Sequence, residues 1–141
     1  MSAEAEAWIA ADNSPVYEIT EEGLRVGREW LVDMLSTPYN EFPRFPAALS
    51  FVFGLLPEEA LAVLERRAAV LRENLARLER DVAGDSGSVA PRVVLLETEY
   101  LHAATVAELN WVSSVVDDLR TGKLAWSREE LAEASKSFLP A

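Results

Sequence analysis

The residue types that most often catalyse reactions or bind metals are sparse in this sequence of 141 residues. There is one histidine, His102, and there is no cysteine. Glu99 and Glu108 are near His102 in the sequence, but a metal site needs several converging ligands. Glu97 and Glu99 would point in different directions on a helix, so they do not form an acid–base pair. We therefore expect no metal site, no catalytic residues and no enzyme activity.

The sequence also lacks the motifs that are typical of cofactor binding and covalent catalysis. Gly84 and Gly87 are not followed by a helix with lysine at the place that a phosphate-binding loop requires. Nothing resembles a nucleophile elbow or a catalytic triad. We therefore expect no cofactor. The formal net charge of −11 also disfavours non-specific attraction to nucleic acid or to an anionic membrane.

Composition predicts one compact domain, or a small domain with an extended arm. Half of the residues are hydrophobic and 26% are charged, which is typical of a globular protein. Residues 1–13 hold no lysine or arginine and no long apolar run, so they do not read as a signal peptide. No segment has the unbroken apolar length that spans a bilayer. Because cysteine is absent, a reducing cytoplasm is the expected location.

The most regular stretch of the chain runs from Pro57 to Val82. Its apolar residues recur at alternating steps of three and four, and they are Leu61, Leu64, Ala68, Leu71, Leu75, Leu78 and Val82. This period of 3.5 predicts a helix packed lengthwise against a helical partner. Pro57 suits the first turn, where its missing N–H has no partner in any case.

A second long helix is predicted from Pro91 to about Leu119. The residues between the two helices, around Asp85–Ser88, are typical of a flexible turn, so the two helices should form an antiparallel hairpin. The second helix has two neighbouring apolar stripes and therefore needs more than one packing partner. We expect an obligate dimer, whose seam or core consists of Leu61, Leu64, Leu71, Leu75, Leu78 and Trp111. Ser127 to Glu130 forms a capping box that opens a short terminal helix.

The sequence before Pro57 predicts shorter and more varied elements. Residues 4–20 predict a β-hairpin, although 4–11 also fit a short helix. Thr20 then caps a helix whose apolar face includes Trp30. Residues 37–46 hold three prolines and predict a linker, and 47–56 predict a short buried helix. The predicted regions are thus 1–36, 37–56 and 57–141, in a mainly α fold with a β-hairpin.

Several arginines lie along the first long helix. They are Arg66, Arg67, Arg72, Arg77 and Arg80, with acidic residues among them. This mixture is typical of a solvated, salt-bridged face beside a coiled-coil seam. Contact with phosphate is the alternative for the same residues.

Three stretches, in this order, resemble the PadR family of bacterial winged-helix transcription regulators. The first is Tyr17-Glu18-Ile19-Thr20-Glu21-Glu22-Gly23, followed by Trp30-Leu31. It looks like the last wing strand running into the helix that leaves the DNA-binding domain. The second runs from Phe45-Pro46 through Leu56-Pro57-Glu58-Glu59-Ala60 to Leu64-Glu65-Arg66-Arg67, and the third is Ala107-Glu108-Leu109-Asn110-Trp111. Both are similar to parts of the carboxy-terminal helical domain of the family.

The resemblance implies a dimer, a transcriptional role and often derepression by a small aromatic or amphipathic molecule. It suggests a candidate effector pocket at Trp30, Tyr100 and Trp111. Large aromatic residues at helical spacing also occur in cores and interfaces, which is the alternative for these three.

Two departures from the family pattern concern DNA binding. The helix-turn-helix expected before the wing is absent from the sequence, and six acidic residues precede the first basic one, Arg25. We therefore expect DNA binding only if a helix-turn-helix is supplied, whether the chain is a fragment, a mis-assigned start or a short paralogue. The leading hypothesis is a PadR-like regulator of the repressor type. We expect it to form a homodimer or a heterodimer with a related regulator. The alternatives are a stand-alone helical interaction module and a small-molecule-binding protein.

Overall fold

The computed structural model describes residues 17–41, 44–85 and 91–138. The chain divides into two compact units, Met1–Pro43 and Arg44–Ala141, which are described separately below. The division falls inside the segment 37–56, so residues 44–56 belong to the second unit. The described helices are α1 (Glu21–Ser36), α2 (Arg44–Leu49), α3 (Pro57–Asp85), α4 (Leu96–Thr121) and α5 (Arg128–Phe138), with 3₁₀ turns at Val52–Gly54 and Arg92–Leu95.

The β-hairpin predicted for residues 4–20 is not found, and this part of the fold prediction was wrong. Over 17–41, 44–85 and 91–138 the chain forms helices, turns and irregular segments without a strand. Of the two predicted strands, the first and the start of the second lie outside the described residues. The mainly α character is confirmed.

Helix α1 begins where Thr20 was predicted to cap it. The Thr20 hydroxyl oxygen accepts a hydrogen bond from the Gly23 N–H at 3.0 Å, which satisfies one of the free donors of the first turn. Thr20 itself has extended backbone, with φ −78° and ψ 163°. Arg25 pairs with Glu22 on the preceding turn and with Glu29 on the next turn, and its hydrogen bond lowers the pKa of Glu22 below the ordinary value.

Helices α3 and α4 pack together as an antiparallel hairpin, as predicted. Three pairs between charged or ionisable side chains show the direction, because partners further along α3 lie earlier on α4. They are Glu65–Arg120, Arg67–Glu108 and Glu79–His102. The core of the hairpin lies between the helices and consists of Leu64, Ala68, Leu71, Val112 and Val116, all buried.

The start of α3, the end of α4 and the start of α5 show the capping chemistry that their sequences favour. Glu59 accepts a hydrogen bond from the Leu56 N–H at 2.8 Å at the start of α3. Gly122 ends α4 at a φ of +75°, a left-handed conformation that glycine adopts without the steric cost of a Cβ atom. The capping box of α5 is confirmed, because Ser127 and Glu130 exchange hydrogen bonds of 3.0 and 3.1 Å.

The first residues of the second unit differ from the prediction for 47–56. Helix α2 begins earlier, at Arg44, with Pro46 in its first turn, where proline is tolerated. No residue of α2 or of the following 3₁₀ turn is buried, and Phe51 and Phe53 are exposed. The predicted buried helix is therefore a short surface helix and a 3₁₀ turn.

Candidate dimerisation surface and aromatic cluster

The heptad-like seam of α3 faces α4 of the same chain over its first half. Leu64, Ala68 and Leu71 are buried against Val112 and Val116, and Leu61 packs on the edge of that core. Leu75 and Leu78 are half-buried further along α3. The helical partner that the 3.5-residue period predicts is therefore, for this half, α4 itself.

The hydrophobic core of the second unit is small. Six hydrophobic side chains are buried among the described residues: Ala60, Leu64, Ala68, Leu71, Val112 and Val116. Two of the six are alanines, which contribute little apolar area. Burial of apolar surface is the main favourable term in folding. In the described part of the second unit, much of the apolar surface of α4 therefore stays exposed.

One face of α4 lies outside the hairpin core and is exposed among the described residues. It consists of Leu96, Tyr100, Ala103, Ala107 and Trp111, and is called the α4 stripe below. These residues follow one another at steps of three and four, so they share one face of the helix. Tyr100 is 71% exposed and Trp111 is 47% exposed. At 1.5 Å per residue the stripe is roughly 22 Å long.

The α4 stripe has large residues at its ends and small ones in its middle. Ala103 and Ala107 are both exposed. Small side chains let two helix backbones approach closely, whereas leucines at the same positions would hold them apart. The stripe is therefore shaped to receive another helix or a flat molecule along its centre.

Cross-helix ion pairs fix the register of the hairpin beside this face. The Arg67 guanidinium donates to Glu108 at 2.5 and 3.1 Å, and Arg120 donates to Glu65 at 2.6 and 2.9 Å. The side chains are between about one third and one half exposed. Pairs at such exposure contribute about 0–1 kcal/mol each. Their main effect is geometric, and they occupy Arg67, one of the arginines that phosphate contact would need.

An aromatic cluster joins α2 to the hairpin. The rings of Phe45 and Trp111 meet edge to face, with centroids 6.3 Å apart and an interplanar angle of 78°. The Arg67 guanidinium carbon lies 3.5 Å from the centroid of the Phe45 ring. Both geometries are favourable, the first through ring quadrupoles and the second as a cation–π contact. Trp111 therefore belongs both to this cluster and to the α4 stripe.

A cavity of about 270 Å³ lies next to Trp111. Its lining is apolar throughout and consists of Leu49, Val52, Ala60, Leu64, Trp111, Val115, Leu119, Leu124 and Trp126. The Trp126 indole N–H donates to the Leu55 carbonyl at 2.9 Å, which fixes that ring at the edge of the cavity. Sequence reasoning did not connect Trp126 with Trp111, because the two come together only through the turn after Gly122.

The three residues of the predicted effector pocket have different surroundings. Trp111 lines the cavity just described. Tyr100 lies on the same helix, roughly 16 Å away along the axis, and does not line that cavity. Trp30 is in α1, in the first unit, and is 68% exposed. Within the second unit the structure therefore places Trp126, rather than Tyr100, beside Trp111.

A second cavity, of about 470 Å³, lies at the turn end of the hairpin. Here the His102 imidazole is 3.3 Å from a carboxylate oxygen of Glu79. Arg92 donates two hydrogen bonds to Glu99, at 2.6 and 3.0 Å. These bonds lower the pKa of Glu99 and raise that of Arg92 relative to their ordinary values. In the described ranges no three His, Asp or Glu side chains are grouped so that they could hold a metal ion.

Comparisons with known proteins gave no relative. No family model, no curated protein and no solved structure matches the chain. Among the helices described above, none is long and apolar enough to cross a membrane.

Proposed function

We propose that this chain is the dimerisation part of a PadR-like transcriptional regulator acting in the cytoplasm. The observation that carries the proposal is the exposed α4 stripe on a hairpin with a small core. A contiguous apolar face of this kind commonly marks an interaction site. The two stretches of the second unit that resemble the family support the transcriptional role.

In this proposal the stripes of two copies pack against each other around a twofold axis. The small residues Ala103 and Ala107 allow close approach at the centre, and Tyr100 and Trp111 supply aromatic contact area on either side. Fully burying a large apolar side chain is worth about 1.5–3 kcal/mol relative to leaving it exposed. DNA contact belongs to a helix-turn-helix domain, so the described helices supply self-association and the spacing of two DNA-binding heads.

Sedimentation equilibrium at micromolar concentration tests the proposal. The unmodified chain should be a dimer, and Ala103→Glu should shift it towards monomer because a charge then lies in the middle of the stripe. Ala69→Glu is the matched control, since Ala69 is an exposed alanine of α3 away from the stripe. A folded monomer of the unmodified chain, or equal effects of the two variants, would contradict the proposal.

A stand-alone interaction module is the alternative that shares this surface. Such a chain would pair with an intact related regulator in a mixed dimer. With one DNA-binding domain instead of two, the mixed dimer could not bind both halves of a DNA operator. The same stripe would form the contact, so the two functions differ in the partner. Mixing the chain with a related full-length regulator, and measuring mixed dimers against homodimers, separates the two.

The cavity beside Trp111 supports a second candidate function, the binding of a small aromatic effector. Its apolar lining and its two indole rings suit a planar ring. A library of aromatic acids and planar dyes should then include a compound that quenches tryptophan emission saturably. The quenching should be reduced in Trp111→Phe and in Trp126→Phe, because both indoles line the cavity, while the dimer survives. A library without specific quenching would rule out this function.

A further inference from the structure

The cavity at the turn end of the hairpin combines an apolar floor with a charged rim. Val82, Ala83 and Leu95 form the apolar part, from the end of α3 and the 3₁₀ turn before α4. Its volume of about 470 Å³ is in the range of small-molecule sites, which typically have a mostly apolar lining and a few placed polar groups. The shape therefore suits an organic ligand with one or two rings.

The polar groups of the rim are not equivalent. Arg92 and Glu99 hold each other through two hydrogen bonds, and their charges cancel. Among the described residues, the hydrogen-bond partner of the Glu79 carboxylate is the His102 ring, at 3.3 Å, and the Glu79 side chain is 59% exposed. Solvent and ligands can therefore reach the negative charge of the Glu79 carboxylate.

We propose that this cavity binds a small amphipathic cation, an aromatic or branched alkyl ammonium. Its hydrocarbon part would cover Val82, Ala83 and Leu95, and its ammonium group would meet the Glu79 carboxylate. An anion would instead face Glu79, and a neutral molecule would gain apolar burial alone. The formal net charge of −11 raises the local concentration of cations around the whole chain.

Charge selectivity distinguishes this site from the cavity beside Trp111. No charged residue lines the cavity beside Trp111, so that cavity has no carboxylate that could pair with an ammonium group. The proposed site depends on the hairpin alone and is independent of whether the chain dimerises or regulates transcription.

The test uses three probes of nearly equal shape: 1-naphthylmethylammonium, 1-naphthalenemethanol and 1-naphthoate. The chain has a single histidine, so the ring protons of His102 give one assignable set of signals in ¹H NMR at fixed pH. The ammonium probe should shift these signals saturably, about two- to fivefold tighter than the alcohol, which is the ratio an exposed ion pair provides. The naphthoate should bind most weakly of the three.

Two charge-neutralising variants complete the test. In Glu79→Gln the ammonium and the alcohol should bind equally. Glu73→Gln makes the same charge change nearly two turns away on α3, at an exposed residue that does not line the cavity, and should keep the preference. The proposal is overturned if His102 shows no saturable shift with the ammonium probe, if the alcohol binds as tightly, or if Glu79→Gln retains the preference.

Discussion

Shortening Leu64 to alanine removes three carbon atoms from the centre of the hairpin core. Leu64 is 5% exposed and packs among Ala68, Leu71, Val112 and Val116. At about 0.8 kcal/mol for each buried methylene, the lost transfer energy is about 2.4 kcal/mol. The cavity left behind adds to this, so we expect Leu64→Ala to lower the free energy of unfolding by about 2.5–4 kcal/mol.

The neighbouring residue provides a matched control. Val63 is on the same helix but is 41% exposed, so Val63→Ala should cost about 1 kcal/mol or less. Urea unfolding followed by circular dichroism measures both variants, at one fixed protein concentration because dimerisation adds to apparent stability. Equal losses for the two variants would refute the assignment of the core to this side of α3.

Three further predictions concern DNA, the aromatic cluster and pH. The chain of 141 residues should not bind duplex DNA tighter than about 10⁻⁶ M at low salt, as measured by fluorescence anisotropy, because its net charge of −11 repels phosphate. Trp111→Phe loses part of the edge-to-face contact with Phe45 and should lower stability by about 1–3 kcal/mol in urea unfolding. The pKa of Glu99 is lowered by its hydrogen bonds from Arg92, so its contribution to stability is complete above its ordinary value near 4.5 and is lost as pH falls through the lower folded value. The difference in Tm between the parent and Glu99→Gln should therefore shrink between pH 6 and pH 3, and a constant difference would contradict this pairing.

The helices could be predicted from the sequence because their signals are local. The apolar period of α3, Pro57 in its first turn and the capping residues Thr20 and Ser127 all act within a few positions. The β-hairpin was wrong for a related reason. Val16, Tyr17 and Ile19 belong to residue types that favour extended backbone. A helix N-cap residue such as Thr20 is also extended, and this conformation does not require a paired strand. A strand needs a distant partner, which local propensity does not supply.

The surfaces of the hairpin were harder to predict than its helices. A period of 3.5 indicates a helical partner but does not say whether that partner is α4 or a second chain, and the structure uses α4 for Leu64 and Leu71. The polar rim of the turn-end cavity joins Glu79 to His102 across the hairpin. Such a pair depends on the register of α3 against α4, which side-chain packing decides and sequence spacing does not show.

Cysteine cross-linking tests most directly whether two α4 stripes face each other. The chain has no cysteine, so Ala103→Cys, Ala107→Cys and Ala69→Cys each introduce a single thiol. A disulfide requires Cα atoms within about 7 Å of each other. Packing of stripe on stripe predicts a disulfide-linked dimer on mild oxidation for a cysteine at one or both of the stripe positions, and none for Ala69→Cys. A dimer that cross-links through position 69 and through neither stripe position would contradict the account.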